Sequence, residues 1–270
     1  MSSVGTLLYI HGFLGRGQDW SPMRMTQWES LAPDFFSSNK QDFKDYSFPV
    51  LADQVNAMAQ SISITPRVLV GYSWGGRVAL HSLLRAQQLY AGAILIGTHP
   101  GLAQEEERSA RLESDLSWSN RFLSEDWKSL IQAWNHQTVF QSTEKLHSFS
   151  QVRGESLEQM EREFSKQALA LALKNCSLGK QEDLRPSLKQ LQIPTLWIVG
   201  GEDLKFKALY QGLSQSQIPW SRFVEIPGAG HRVHLEQPSQ VNREIQKFLV
   251  DIQLCGMRES NPYDQRMKRK

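Results

Sequence analysis

The chain has 270 residues, 40% of them hydrophobic, enough for one large domain with a sizeable buried core. Its 30 Lys and Arg stand against 28 Asp and Glu, and a net charge of +2 excludes nucleic acid as a bulk electrostatic partner. Concentrated charge occurs only in the tail, Gln265 to Lys270, and residues 257–270 read as a disordered, solubilising end.

The two cysteines, Cys176 and Cys255, have neither CxxC nor metal-ligand spacing. The N-terminal MSSVGTLLYIHGF lacks a basic stretch, and its apolar run is too short to span a membrane. Reduced thiols in a cytoplasmic protein are expected, with no metal or other cofactor.

In chain order, Thr6–Ile10 is a short apolar run stopped by His11-Gly12, as in a buried parallel strand. Trp28–Pro33 is a weaker strand candidate. LADQVNAMAQS, residues 51–61, has the helical spacing of Leu51, Val55 and Met58. Arg67–Val70 reads as a strand, Arg77–Gln88 as a helix and Ala93–Ile96 as the next strand. From 98 to 189 the texture is Glu-, Arg-, Gln-, Ser- and Trp-rich, reading as amphipathic helices. Strand rhythm returns at Pro194–Val199 and Phe223–Ile226, and a helix over Pro238–Leu249 closes the fold.

Alternating strands and helices predict an α/β fold, a mostly parallel sheet with helices on both faces. Residues 1–97 and 190–256 would form this core. Residues 98–189 leave from a strand's carboxyl end, where ligands bind in such sheets, and form a candidate helical lid.

Gly71-Tyr72-Ser73-Trp74-Gly75 fits G-x-S-x-G between a strand and a helix. Such a turn strains the serine backbone, needs very small neighbours and lifts the hydroxyl above the sheet. The Trp74 N–H then opens a helix where an oxyanion is stabilised, and the loop His11-Gly12-Phe13 should supply a second N–H from Phe13. A serine needs a base, and the base an orienting acid. Gly200-Gly201-Glu202-Asp203 and Gly228-Ala229-Gly230-His231 each follow a strand. Asp203 is assigned as orienter and His231 as base, with Glu202 the adjacent competitor and Asp34 an alternative out of chain order. His11 reads as a loop brace. His81, His136 and His147 lie in helical patterns as packed or exposed residues. His234 and His99 are ambiguous.

HGF, GYSWGG, GGED and GAGH, in this order, resemble the α/β-hydrolase superfamily up to about Leu249. More narrowly, GYSWGGR, GTHPGL, SDLSWSNRF, AWNHQTVF, LALALKNCSLGKQEDL, GGEDLKF and GHRVHLEQP resemble the 2-succinyl-6-hydroxy-2,4-cyclohexadiene-1-carboxylate synthases of menaquinone biosynthesis. The resemblance implies a lyase on a hydrolase fold. Ser73, His231 and Asp203 would remove a proton from a polycarboxylate and expel pyruvate without an acyl-enzyme. It implies forked donors for a small anionic substrate: Arg77, Arg121 and a third lid arginine, Arg162, with Arg153 as fallback. Tyr72, Trp134 and Lys205 match family positions near the substrate. Asn135 departs from the family's Trp-Tyr pair, and Phe35–Asn39 from its glycine- and histidine-rich loop. The alternatives are a serine hydrolase of ester, thioester or carbon–carbon bonds, and a non-catalytic binding protein, against which the full triad argues.

Overall fold

The computed structural model describes residues 3–38, 45–140 and 156–259, apart from the side chains of 255–259. Arg153, His147, Asn39 and the end of the basic tail lie outside the described residues.

The chain runs β1 (Thr6–Ile10), β2 (Glu29–Leu31), α1 (Phe48–Ser61), β3 (Arg67–Tyr72), α2 (Trp74–Ala86) and β4 (Gly92–Ile96). A helical stretch follows: α3 (Glu105–Ser124), α4 (Trp127–Asn135), α5 (Leu157–Glu163), α6 (Lys166–Asn175) and α7 (Arg185–Leu188). Then come β5 (Thr195–Gly200), α8 (Leu204–Gln215), β6 (Ser221–Ile226), α9 (Val233–Glu236) and α10 (Pro238–Glu259). The six strands form one sheet in the order β2-β1-β3-β4-β5-β6, with every pairing parallel.

The period of two along each strand divides the core. Leu8, Ile10, Leu69, Leu95 and Trp197 face one side, where α1 and α2 supply Leu51, Val55, Val78 and Leu83. Leu7, Tyr9, Val70, Ile94 and Ile198 face the other, where α10 supplies Val241, Ile245, Phe248 and Ile252. Burial on both faces explains why the strands read as continuous apolar runs.

Three of the differences from the sequence expectation bear on the site or the core. Helix α2 begins at Trp74, three positions before Arg77, because the turn at Ser73 feeds straight into it. Helix α10 runs past Leu249 to Glu259, since Ile252, one turn beyond Phe248, is still buried against the sheet. Helix α8, which the sequence reading did not pick out, is started by Asp203, whose carboxylate accepts the Phe206 N–H.

The strand order places the site. β1 is flanked by β2 and β3, so the chain's direction of growth across the sheet reverses there. Ile10 pairs with Gly71, which sets the loop after β1 beside the turn after β3.

His81 of α2 stacks on Phe48 at 4.3 Å, with its Nε2 buried and unbonded. Burial, helped by Arg77 and Arg85, lowers its pKa from 6.5 to about 4. The unfolded chain therefore takes up a proton between pH 6.5 and about 4 that the folded chain refuses, so stability falls as pH falls through that window. Denaturant unfolding at pH 7.5 and pH 4.5 should show a smaller pH-dependent loss for His81→Phe than for the parent. An equal loss would remove His81 as the cause.

Candidate active site

The turn after β3 is built by exclusion. Ser73 sits at φ 50° and ψ −111°, a strained conformation for a residue with a side chain. Its N–H donates to Ile96 O at 2.9 Å, and its carbonyl accepts the Arg77 N–H at 3.1 Å. A Cβ at Gly75 would lie 2.3 Å from His11 O and 2.4 Å from Ile10 O, and one at Gly71 would lie 2.7 Å from Gly75 O. No side chain fits at either position, so the turn closes tightly and lifts the hydroxyl from the sheet. Trp74 is the first residue of α2, and its N–H has no acceptor within the helix.

His231 brings the relay together. Its Nδ1–H donates to Asp203 Oδ2 at 2.7 Å, and its Nε2 accepts the Ser73 hydroxyl at 3.1 Å. Both partners of the first bond are buried. Asp203 Oδ1 accepts the Phe206 N–H at 3.3 Å, so the carboxylate caps α8 while orienting the histidine. Glu202 is its sequence neighbour but does not bond His231. Asp34 lies elsewhere, accepting the Gly17 N–H at 2.6 Å. His11 braces its loop: Nε2 accepts the Phe35 N–H at 2.9 Å, and Nδ1–H donates to Gly12 O at 2.8 Å.

Ser73 and His231 open onto a cavity of about 460 Å³. Of the other sequence-selected residues, Phe13, Trp74, Arg77, Trp134 and Lys205 line it. Arg77 is buried, donates Nη1–H to Cys176 O at 2.8 Å and lies 5.3 Å from the Phe48 ring centre. Burial, reinforced by Arg111, lowers its pKa to about 10, which leaves it charged at neutral pH.

Three expected ligand residues fall outside the cavity. Tyr72 is buried behind it, 5.6 Å from the His231 ring and 4.3 Å from that of His234. Arg162 borders a different depression with Arg16 and Asp34. Arg121 is paired with Glu125 at 2.6 and 2.9 Å and stacks on Trp118 at 4.3 Å. Axial position and local pairing explain Arg121. Arg111, Ser114, Asp115 and Trp118 form the cavity face of α3, whereas Arg121 lies about 15 Å along the axis from Arg111, at the end of the helix, where Glu125 and Trp118 hold its guanidinium.

The arginine that α3 does present was missed. Arg111 lines the cavity and is steered by Asp115, bonded through Nε at 2.9 and 3.0 Å. Asp115 is itself buried and accepts the Ser177 hydroxyl at 2.8 Å. The 111-115-118 spacing was the available signal. Among the described residues, no three His, Cys, Asp or Glu side chains converge to hold a metal ion, and no helix is long and apolar enough to cross a membrane.

The profile of the alpha/beta hydrolase fold matches residues 5–238. A 2-succinyl-6-hydroxy-2,4-cyclohexadiene-1-carboxylate synthase of Serratia proteamaculans is 31% identical over 249 residues, 91% of this chain and 93% of its own. The chain belongs to this synthase family of the α/β-hydrolase fold. The solved structure of MenH from S. aureus is similar at a TM-score of 0.84 and 23% identity, covering 94% of this chain and 96% of the other. An esterase from Thermogutta terrifontis reaches 0.71 at 22% identity, covering 93% and 92%. Synthases thus share their backbone with hydrolases, and the cavity wall has to decide the chemistry.

The bond from His231 to Asp203, and not to Glu202, makes a sharp prediction. Asp203→Asn should lower kcat by roughly 10³ to 10⁴ by stabilising the wrong histidine tautomer, whereas Glu202→Gln should stay within a few-fold of the parent. Equal losses in steady-state kinetics would contradict the assignment.

Proposed function

We propose that this synthase-family chain eliminates pyruvate from 5-enolpyruvoyl-6-hydroxy-2-succinyl-cyclohex-3-ene-1-carboxylate, giving 2-succinyl-6-hydroxy-2,4-cyclohexadiene-1-carboxylate. The observation that carries the reading is an intact serine relay opening onto a cavity that also holds Arg77, Arg111 and Lys205. Three cations lining one cavity suit a substrate with several carboxylates, and a neutral ester has no use for them.

In this reading Ser73 and His231 act as a proton relay. The ring carbon next to the succinyl ketone loses its proton to Ser73 Oγ as His231 Nε2 takes the hydroxyl proton, and Asp203 steadies the resulting imidazolium. Charge passes to the ketone oxygen, held by the Trp74 and Phe13 N–H groups. The ring double bond then shifts, the carbon–oxygen bond to the enolpyruvyl group breaks, and the departing enolate takes up a proton to become pyruvate. Serine is a weak base, so the step depends on a dry, prearranged site. Residues 98–189 would act as the lid that excludes water: α3, α4 and residues 136–140 already form much of the cavity wall. Trp134 would pack on the ring. The substrate would be a free small molecule met in the cytoplasm.

A covalent serine hydrolase is the competing reading, because the 3.1 Å hydroxyl–imidazole bond would equally activate a nucleophile. Pyruvate release and the diene absorbance of the product, followed together, should show turnover with the enolpyruvyl substrate. No turnover, joined to a burst on a p-nitrophenyl ester, would favour the hydrolase. Arg111→Ala and Arg77→Gln should each cut kcat/KM on the polycarboxylate by roughly 10- to 100-fold, the loss of one charged hydrogen bond, while sparing any neutral-ester hydrolysis. Arg121→Ala should stay within about two-fold, as expected for a half-buried ion pair near the surface and outside the cavity. A large loss at Arg121 would contradict its placement outside the cavity.

A further inference from the structure

His99, the first histidine after β4, lines the same cavity as Ser73 but takes no part in the relay. Its ring is held in a defined state. The Gly101 N–H donates to Nδ1 at 3.1 Å, so Nδ1 is an acceptor and carries no hydrogen. The hydrogen of the neutral ring is therefore on Nε2. The loop that makes this bond is clamped from the far side of the helical segment. Gln181 donates to His99 O at 3.1 Å, and the Leu184 N–H donates to Pro100 O at 2.8 Å. Gly101 stands at φ 119°, and a Cβ there would lie 2.2 Å from Glu182 O. This accounts for His-Pro-Gly as a unit: the histidine needs the glycine N–H, and the glycine needs room against Glu182. Phe206 meets the ring edge-on, with centroids 6.0 Å apart.

The surroundings hold the ring neutral. Burial is the main cause, and Lys205, Arg77, Arg111 and Arg185 add to it, taking the pKa from 6.5 to about 3. A fourth cation on the cavity wall would be repelled by Arg77, Arg111 and Lys205. A neutral N–H adds a donor without that repulsion.

We infer that His99 is a substrate-binding residue that donates its Nε2–H, as a neutral imidazole, to a carboxylate of the substrate. The cationic residues supply attraction at this end of the cavity, and His99 supplies a directed hydrogen bond. The inference rests on the polycarboxylate reading of the site.

Two isosteric variants separate a ligand role from a loop-bracing role. Gln places an amide nitrogen where Nε2 stands and loses the acceptor for Gly101. Asn places an oxygen where Nδ1 stands and loses the donor to the cavity. His99→Asn should raise KM for the enolpyruvyl substrate, and Kd for the diene product, about tenfold, equivalent to one hydrogen bond to a charged group. His99→Gln should recover most of that loss. The reverse ranking would show that His99 only braces the loop, and would overturn the inference. In parent protein labelled with ¹⁵N-histidine, the His99 resonances should show the Nε2–H tautomer without titrating between pH 5 and pH 9. The Nε2 signal should move when succinate or product is added. A titration near pH 6, an Nδ1–H tautomer, or a signal indifferent to both anions would likewise overturn it. Failure of the proposed reaction is read separately, as absence of pyruvate release by the parent.

Discussion

The site depends on one strained residue. Ser73 is held at φ 50° between β3 and α2, a conformation that costs on the order of 1–3 kcal/mol and persists only when its surroundings over-determine it. Here they do so from both sides of the sheet. Tyr72 is packed in the core beneath α10, and Trp74 in the opposite core with α1 and α2. Its two neighbours are thus anchored in different layers, and the serine between them cannot relax without disturbing both. The close approach of Gly75 to the carbonyls of Ile10 and His11 then brings the loop after β1 against the turn, where two backbone N–H groups can face one oxyanion.

Around this fixed point the polar groups divide the work. Asp203 is tied at both oxygens, one to the His231 ring and one to the start of α8, so the histidine is presented in one tautomer and one orientation. Two of the cavity's cations are restrained in the same manner. Arg77 is anchored on Cys176 O, and Arg111 on the buried Asp115. Side chains held before a ligand arrives lose little entropy when they bind it, which favours a charged, multiply branched substrate. The fold alone carries no such preference, as its likeness to an esterase shows.

Much of this was legible in the sequence because it rests on local rules. Buried parallel strands announce themselves as apolar runs, and β1, β3, β4, β5 and β6 were all read from them, each within two residues of its observed ends. The serine turn, the acid and the histidine each follow a strand, and this order assigned Asp203 and His231 with Glu202 left as competitor, a choice made by the bond from His231 to Asp203. What was not legible needed phase or three-dimensional placement. The helical segment was recognised, but motif position favoured Arg121, which Glu125 and Trp118 hold at the end of α3, where the cavity is lined by Arg111. Arg162 sits on α5, beside the loop after β2 and away from the serine. Tyr72 adjoins the nucleophile in sequence, yet strand alternation points it away from the cavity. Asn135, which departs from the family pattern, has its own partner: its Oδ1 accepts from Arg232 at 2.7 Å, joining the helical segment to the histidine loop.

The central claim is that Ser73 moves a proton and forms no ester. The most direct measurement compares pyruvate release from ordinary substrate with release from substrate carrying deuterium on the ring carbon beside the succinyl ketone. If the relay removes that proton, the deuterated substrate should turn over more slowly, with the effect expressed on kcat/KM. Identical rates, together with an acyl group found on Ser73 when the reaction is quenched, would contradict the account.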